Sequence, residues 1–198
     1  MREKVLIVVV LFAVSTVSAL MLAGVNAASK DVIIKNRERA FKEALISVLE
    51  IKGDGQTIEN LYETKIKEQK LPAGNVYLSV DGENIKGAAF KLTGPGFWGP
   101  ISVMVGVTLP DYKISGFEIL EQGETPGLGA RIDEVEFKKQ FLAKKLDEVI
   151  IIKVKGEKPG INDVSAITGA TITSKSLEKI INEAASPFIE SLKESDRG

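Results

Sequence analysis

Residues 5–29, VLIVVVLFAVSTVSALMLAGVNAAS, contain no charged side chain. A helix needs roughly 20 apolar residues to cross a bilayer core, so this run constrains the chain before anything else does. Ser15, Thr16 and Ser18 can return their hydroxyls to helix carbonyls. The alternative is a secretory signal cleaved after Val25-Asn26-Ala27, but such signals carry an apolar core of about 7–15 residues. The longer run predicts an uncleaved, single-pass anchor. Arg2 and Lys4 precede it, and Lys30, Lys35, Arg37 and Arg39 follow it, so counting positive charges does not choose a side. The short tail is expected to stay cytoplasmic, which places the rest of the chain on the extracytoplasmic face of the inner (cytoplasmic) membrane, in contact with its lipid.

Composition narrows the chemistry. The 198 residues carry 26 basic and 27 acidic side chains, a net charge of −1. That balance argues against nucleic acid as a partner, because phosphate backbones select a basic excess. There is no Cys and no His. Disulfides, thiolate clusters, thiolate or imidazole metal sites and Ser-His-Asp catalysis are therefore excluded. Any redox work must rest on a cofactor that needs neither ligand: a flavin, a nicotinamide or a quinone.

After the anchor, residues 29–52 repeat Ile34, Phe41, Leu45, Val48 and Leu49 at helical steps. They predict an amphipathic helix stopped by Gly53-Asp54-Gly55. NVYLSV (75–80) and IKGAAFKL (85–92) flank the turn Asp81-Gly82-Glu83-Asn84 and predict a hairpin. PISVMVGVTL (100–109) is a nearly continuous apolar run, as in a strand buried on both faces, and KISGFEILEQ (113–122) alternates like its neighbour. DEVEFKKQFLAK (133–144) predicts a helix from the Phe137/Phe141 and Val135/Leu142 spacings. EVIIIKVK (148–155) predicts a strand. LEKIINEAASPFIESLKE (177–194) predicts a last helix with Leu177, Ile180, Ile181, Ala184 and Phe188 on its apolar face, kinked or shortened by Pro187. The expected fold class is α+β: an N-terminal transmembrane helix, an amphipathic helix, then a mainly antiparallel sheet with packed helices. The segments are 1–28 (tail and anchor), 29–56 (connecting helix) and 57–198 (the folded domain).

Three stretches can carry function. GPGFWGP (94–100) fixes a loop around Phe97 and Trp98. Its rings either tuck into the core, as the bare sequence favours, or face a planar ligand. GETPGLGAR (123–131) places Glu124 and Thr125 beside the Pro126-Gly127-Leu128-Gly129 turn. It lacks the Lys of a P-loop and is no dinucleotide fingerprint. SAITGATITSKS (165–176) makes a tight turn at Thr168-Gly169-Ala170-Thr171 entering the last helix. Thr171, Thr173, Ser174 and Ser176 are all candidate N-caps, and Lys175 adds positive charge where a helix N-terminus already attracts phosphate. One hydroxyl suffices for a cap, and four lie within six residues.

In this order and spacing, the stretches resemble the FMN-binding domain family. That family includes the G subunit of the Rnf complex and the C subunit of the sodium-pumping NADH:quinone oxidoreductase. The resemblance rests on Thr168-Gly169-Ala170-Thr171-Ile172-Thr173, on Glu124-Thr125-Pro126-Gly127-Leu128-Gly129, and on the aromatic loop with Trp98. It covers essentially the whole chain, and the length fits the shorter Rnf protein better. It implies FMN joined through its phosphate to the Thr171 hydroxyl by a separate flavin transferase that takes FMN from FAD. It implies that Thr168, Gly169, Ala170, Thr173, Ser174, the 124–129 loop and Trp98 contact the cofactor. It also implies an electron-carrying subunit, with no catalysis of its own, beside other membrane subunits that couple electron flow between ferredoxin and NAD to Na⁺ or H⁺ transport. Two positions depart from the family pattern. Ser165 stands where an Asp often lies six residues before the modified Thr, with Asp163 nearby as the candidate stand-in. Gln122 stands where a His is often found. The FMN-binding subunit of the quinone reductase, or another extracytoplasmic flavoprotein, is the alternative. A non-redox tethered sensor lacks a second span here, and a pilin-like protein lacks a Glu inside the apolar run.

Overall fold

The computed structural model describes every residue except Met1, Asp54, Glu83, Lys155, Lys158, Pro159 and residues 196–198. The chain divides into two units, Met1–Ala40 and Phe41–Gly198. The described residues of the first are all helical. The helix α1 runs unbroken over Arg2–Val48, so the anchor and the connecting helix expected separately are one element. Its large apolar residues from Val5 to Val25 are all exposed, and it is long and apolar enough to cross a membrane. Thr16 returns its hydroxyl to the Phe12 carbonyl at 2.8 Å.

The second unit is built on an antiparallel meander of five strands: β1 (Ile66–Leu71), β2 (Gly74–Asp81), β3 (Asn84–Pro95), β4 (Pro100–Thr108) and β5 (Ile114–Glu121). The 75–80 and 85–92 strands and the next two fall where the periodicity put them. Asp81 pairs with Asn84 across the hairpin turn, whose Glu83 lies outside the described residues. β4 is buried on both faces. Its Ile101, Val103, Val105 and Val107 join the core under the last helix, while Met104 joins a second core under the end of α1. That is the two-residue period of a strand between two layers.

The two layers pack differently. The last helix, α4 (Thr171–Ser195), lays Leu177, Ile180, Ile181, Phe188 and Ile189 on the sheet, with Phe188 stacked on Phe90 at 4.8 Å. It continues without a break past Pro187, so the proline does not shorten it. The buried residues on either side of the proline, Ala185 and Phe188, hold it where a lone helix would break.

On the opposite face, the end of α1 comes down to the backbone of the sheet. Gly106 and Gly116 are register partners on β4 and β5. A Cβ on either would collide with the Val48 main chain. Ser115 donates its hydroxyl to the Val48 carbonyl at 2.6 Å. The helix ends there, four residues earlier than expected, with Glu50 in the left-handed region at φ 52°. Asp54, part of the expected stop, is outside the described residues.

Three regions depart from the sequence reading. Residues 133–144 form only short pieces, a 3-10 turn over Gly129–Asp133, one α-turn α3 (Val135–Lys138) and a 3-10 turn over Lys139–Phe141. Phe137 and Phe141 are buried as expected, but Val135 and Leu142 are exposed. The main chain beyond turns to bond alongside β5: Ala143 N–H to the Ile114 carbonyl, and Ile114 N–H to the Lys144 carbonyl, both 2.8 Å. Those bonds end the helix. The 148–155 strand is only β6 (Ile151–Lys153), paired in parallel with β7 (Asp163–Ser165); Lys155 is not described. On its other side β6 meets side chains of α4. Asn182 accepts from Ile150 N–H at 3.0 Å, and Glu178 accepts from Ile152 N–H. Helix α2 (Ile58–Lys65) and β1 carried no expectation. Thr57 caps α2 by accepting from Asn60 N–H at 3.3 Å.

Lys138 bonds Glu118 at 2.5 Å, and Glu118 also accepts the Ser47 hydroxyl at 3.3 Å. Burial pulls the Lys138 pKa down, but Glu118 and then Asp133 outweigh it and raise it above the ordinary lysine value. A raised folded-state value contributes stability that is complete below the unfolded-state pKa and is lost as pH climbs through the folded one. Lys138→Met is expected to lower the urea midpoint at neutral pH and to flatten its alkaline decline. Gly116→Ala is expected to cost about 1–3 kcal/mol by forcing Val48 off the sheet, read as the shift in the same urea midpoint.

Candidate functional site

All three stretches singled out in the sequence converge at one end of the sheet. The Pro95–Pro100 pair closes the β3–β4 loop, tied by Gly96 N–H to the Gly99 carbonyl at 2.8 Å. The loop after β5 and the N-terminus of α4 meet it. Together they wall a cavity of about 300 Å³.

Glu124 joins the three. Its side chain is 5% exposed. One carboxylate oxygen accepts from Phe97 N–H at 2.8 Å and Trp98 N–H at 3.1 Å. The other accepts from the Thr173 hydroxyl at 2.6 Å. Gln122 in turn accepts from Glu124 N–H at 2.7 Å. A carboxylate leaves water only when donors replace it, and here they come from two other elements. Gly129 packs so closely that a Cβ would meet both the Glu124 carboxylate and the Thr173 hydroxyl.

With its backbone clamped, the aromatic loop turns its rings outward. Phe97 is 51% and Trp98 68% exposed, in edge contact at 5.0 Å, and both line the cavity. The favoured expectation that they tuck into the core is therefore wrong. The carboxylate takes up the loop's N–H groups, which leaves the rings free.

The hydroxyl-rich stretch divides its work. α4 begins at Thr171, so Ala170 is the cap, its carbonyl accepting the first helical bond from Ser174 N–H at 3.0 Å. None of the four hydroxyls caps the helix, contrary to expectation. Ser174, fully buried, accepts from Ile167 N–H at 3.1 Å and donates to the Ala170 carbonyl at 2.9 Å. It braces a turn that Gly169 makes at φ 83°, where a side chain would be strained. Thr173 serves Glu124. Thr171 is exposed, at the cavity wall. Lys175, expected near a phosphate, is held by both oxygens of Glu178 at 2.9 and 3.1 Å.

Of the residues expected at the site, Trp98, Glu124, Thr125, Leu128 and Gly129 line the cavity, as do Gly169, Ala170, Thr171 and Thr173. Pro126, Gly127, Thr168 and Ser174 are not among its walls. Phe97, one of the two rings weighed for a planar ligand, and Ile172, inside the hydroxyl motif, also line it, although neither was named as a cofactor contact. Phe97 carries the same signal as its neighbour Trp98; Ile172, an apolar residue between two hydroxyls, carries no signal of its own. Asp163 does not reach the cavity wall, and its carboxylate accepts from Gly160 N–H at 2.7 Å.

Residues 96–186, which contain all three stretches, match the model of the FMN-binding domain. Along 87% of its length the chain is 30% identical to the G subunit of the Na⁺-translocating ferredoxin:NAD⁺ oxidoreductase complex of Acetobacterium woodii, covering 86% of that protein. The chain belongs to the FMN-binding domain family. A second relative, the G subunit of the proton-translocating ferredoxin:NAD⁺ oxidoreductase complex of Clostridium ljungdahlii, is 43% identical over 89 residues, which is 46% of its own length. The crystal structure of Shewanella oneidensis NqrC has the same fold, with a TM-score of 0.68 at 18% identity over 81% of this chain and 99% of that one. The cavity suits the cofactor this family is defined by. It offers exposed aromatic rings, glycines at the walls, and the N–H groups of residues 171–173, which precede the first helical bond of α4.

Glu124→Ala is expected to free the aromatic loop. Trp98 is the only tryptophan, so its fluorescence anisotropy should fall. Stability should drop by about 2 kcal/mol as Phe97 and Trp98 N–H and the Thr173 hydroxyl lose their acceptor.

Proposed function

We propose that this chain is a membrane-anchored electron-transfer subunit of an Rnf-type ion-translocating oxidoreductase, carrying FMN as a phosphoester of Thr171. The carrying observation is the selectivity of the hydroxyl stretch. Thr173 and Ser174 are buried and hydrogen-bonded, while Thr171 stands exposed on the cavity wall at the first turn of α4. Attachment by a flavin transferase exchanges a phosphorus–oxygen bond of FAD for one to the Thr171 hydroxyl oxygen, releasing AMP with the hydroxyl proton.

When bound, FMN supplies one- and two-electron redox chemistry. The protein's part is placement. The N–H groups of residues 171–173 and the positive end of α4 hold the phosphate. Phe97, Trp98, Leu128 and Ile172 present apolar surface around it. Glu124 fixes the aromatic loop to α4. α1 anchors the chain in the membrane, where the other subunits of the complex reside, with the domain on the extracytoplasmic side. The Acetobacterium relative aligns over 86% of its length, and the C subunit of the Na⁺-translocating NADH-quinone reductase of Vibrio anguillarum over 46% of its own. The Clostridium G subunit is also matched over only 46% of its length, so the near-full-length match to the Acetobacterium protein is what supports exchange between ferredoxin and NAD over quinone reduction, coupled to Na⁺ or H⁺.

Coexpressed with a flavin transferase, the chain is expected to gain the mass of one FMN phosphoester on a peptide containing Thr171 and to fluoresce in a denaturing gel. Thr171→Ala should remove both signals, with expression and fold retained. Mass added to Thr171→Ala would overturn the assignment.

A further inference from the structure

The charges around the cavity are as informative as its shape. Among the described residues that line it, the one ionisable side chain is Glu124, an acid. Lys175, one residue beyond Ser174, is bound by both oxygens of Glu178. Arg131, two residues beyond Gly129, is bound by both oxygens of Glu134 at 2.9 and 3.2 Å. The two buried hydroxyls nearest the turn, Thr173 and Ser174, donate to Glu124 and to the Ala170 carbonyl. What is left for a phosphate is neutral or only partly charged: the exposed Thr125 hydroxyl on the cavity wall and the first turn of α4, with its N–H groups and about half an elementary charge.

We infer that this site is built for a phosphodiester and not for free FMN: the covalent bond, and not ionic recognition of the phosphate, holds the cofactor. The inference rests on the Thr171 reading. A phosphomonoester carries roughly −1.5 to −2 at neutral pH. It would have to approach a buried carboxylate with no cation among the described residues that line the cavity to offset its charge. Esterification to Thr171 leaves a single negative charge, which a helix N-terminus alone can satisfy. Specificity for the phosphate then belongs to the transferase, while the cavity recognises the ring system through Trp98, Phe97, Leu128 and Ile172. The apo chain is therefore expected to distinguish poorly between free FMN and riboflavin, which lacks the phosphate.

The test uses the full chain in detergent, expressed without a transferase, and titrates FMN and riboflavin against Trp98 fluorescence. The two affinities should agree within about threefold, and that for FMN should vary little with salt, since a phosphate held by cations would be salt-sensitive. Binding of neither ligand, in a chain that the transferase modifies at Thr171, supports the inference as well. A tenfold preference for FMN overturns it. A second variant checks the cause. Ile172 lines the cavity and is 58% exposed. Ile172→Lys removes the same ring contact from both ligands, so the ratio of FMN affinity to riboflavin affinity should rise at least fivefold; an unchanged ratio would refute the charge argument. If the wild-type chain takes up no FMN from an active transferase, the Thr171 reading itself falls, an outcome separate from those above.

Discussion

Glu124 holds a negative charge almost entirely out of water, and it can do so because two loop N–H groups and one helix hydroxyl point at it. Each of those donors comes from another part of the chain. Removing the charge would leave two part-buried N–H groups and one buried hydroxyl without their acceptor; removing the donors would leave a bare carboxylate. The arrangement is stable only when all parts are in place. The aromatic loop, the Glu124 loop and the start of α4 therefore form one unit although they lie far apart in sequence. The cavity is what remains between them once that unit is assembled.

The sheet makes this assembly possible by being packed on both sides. α4 rests on side chains, with Phe188 against Phe90, and this sets the position of Thr171 at its first turn. The end of α1 rests on backbone, through Gly106 and Gly116. Ser47 at that end shares Glu118 with Lys138, which also bonds Asp133 in the turn that follows the Glu124 loop. Polar contacts thus run from the last turn of α1 to the segment just beyond the cavity wall.

Much of this was legible from residue order alone. Strands β2 to β5 announced themselves through alternation or a continuous apolar run, and the three site stretches through glycine, proline and hydroxyl density. β1 was hidden because four of its six residues are exposed and polar, so it has no apolar period. The 133–144 helix failed because main-chain bonds to Ile114 compete with helical ones, a tertiary effect no local pattern contains. The roles of the hydroxyls were also invisible. Density said that several would be used, and the resemblance singled out Thr171, but only the fold assigns Ser174 to the turn and Thr173 to Glu124.

The strand edges carry a consequence of their own. The first residue of β5, Ile114, and Tyr112 just before it are bonded by the backbone of residues 143–146. The N–H groups at Ile150 and Ile152, where β6 would otherwise lie open, are taken by Asn182 and Glu178. β1 is left open but presents Lys67, Glu68, Gln69 and Lys70, charged or polar side chains that discourage another strand from adding. A protein tethered in two dimensions meets its own copies at far higher effective density than one free in solution. Edges finished in this way let many copies share a membrane without templating one another into aggregates.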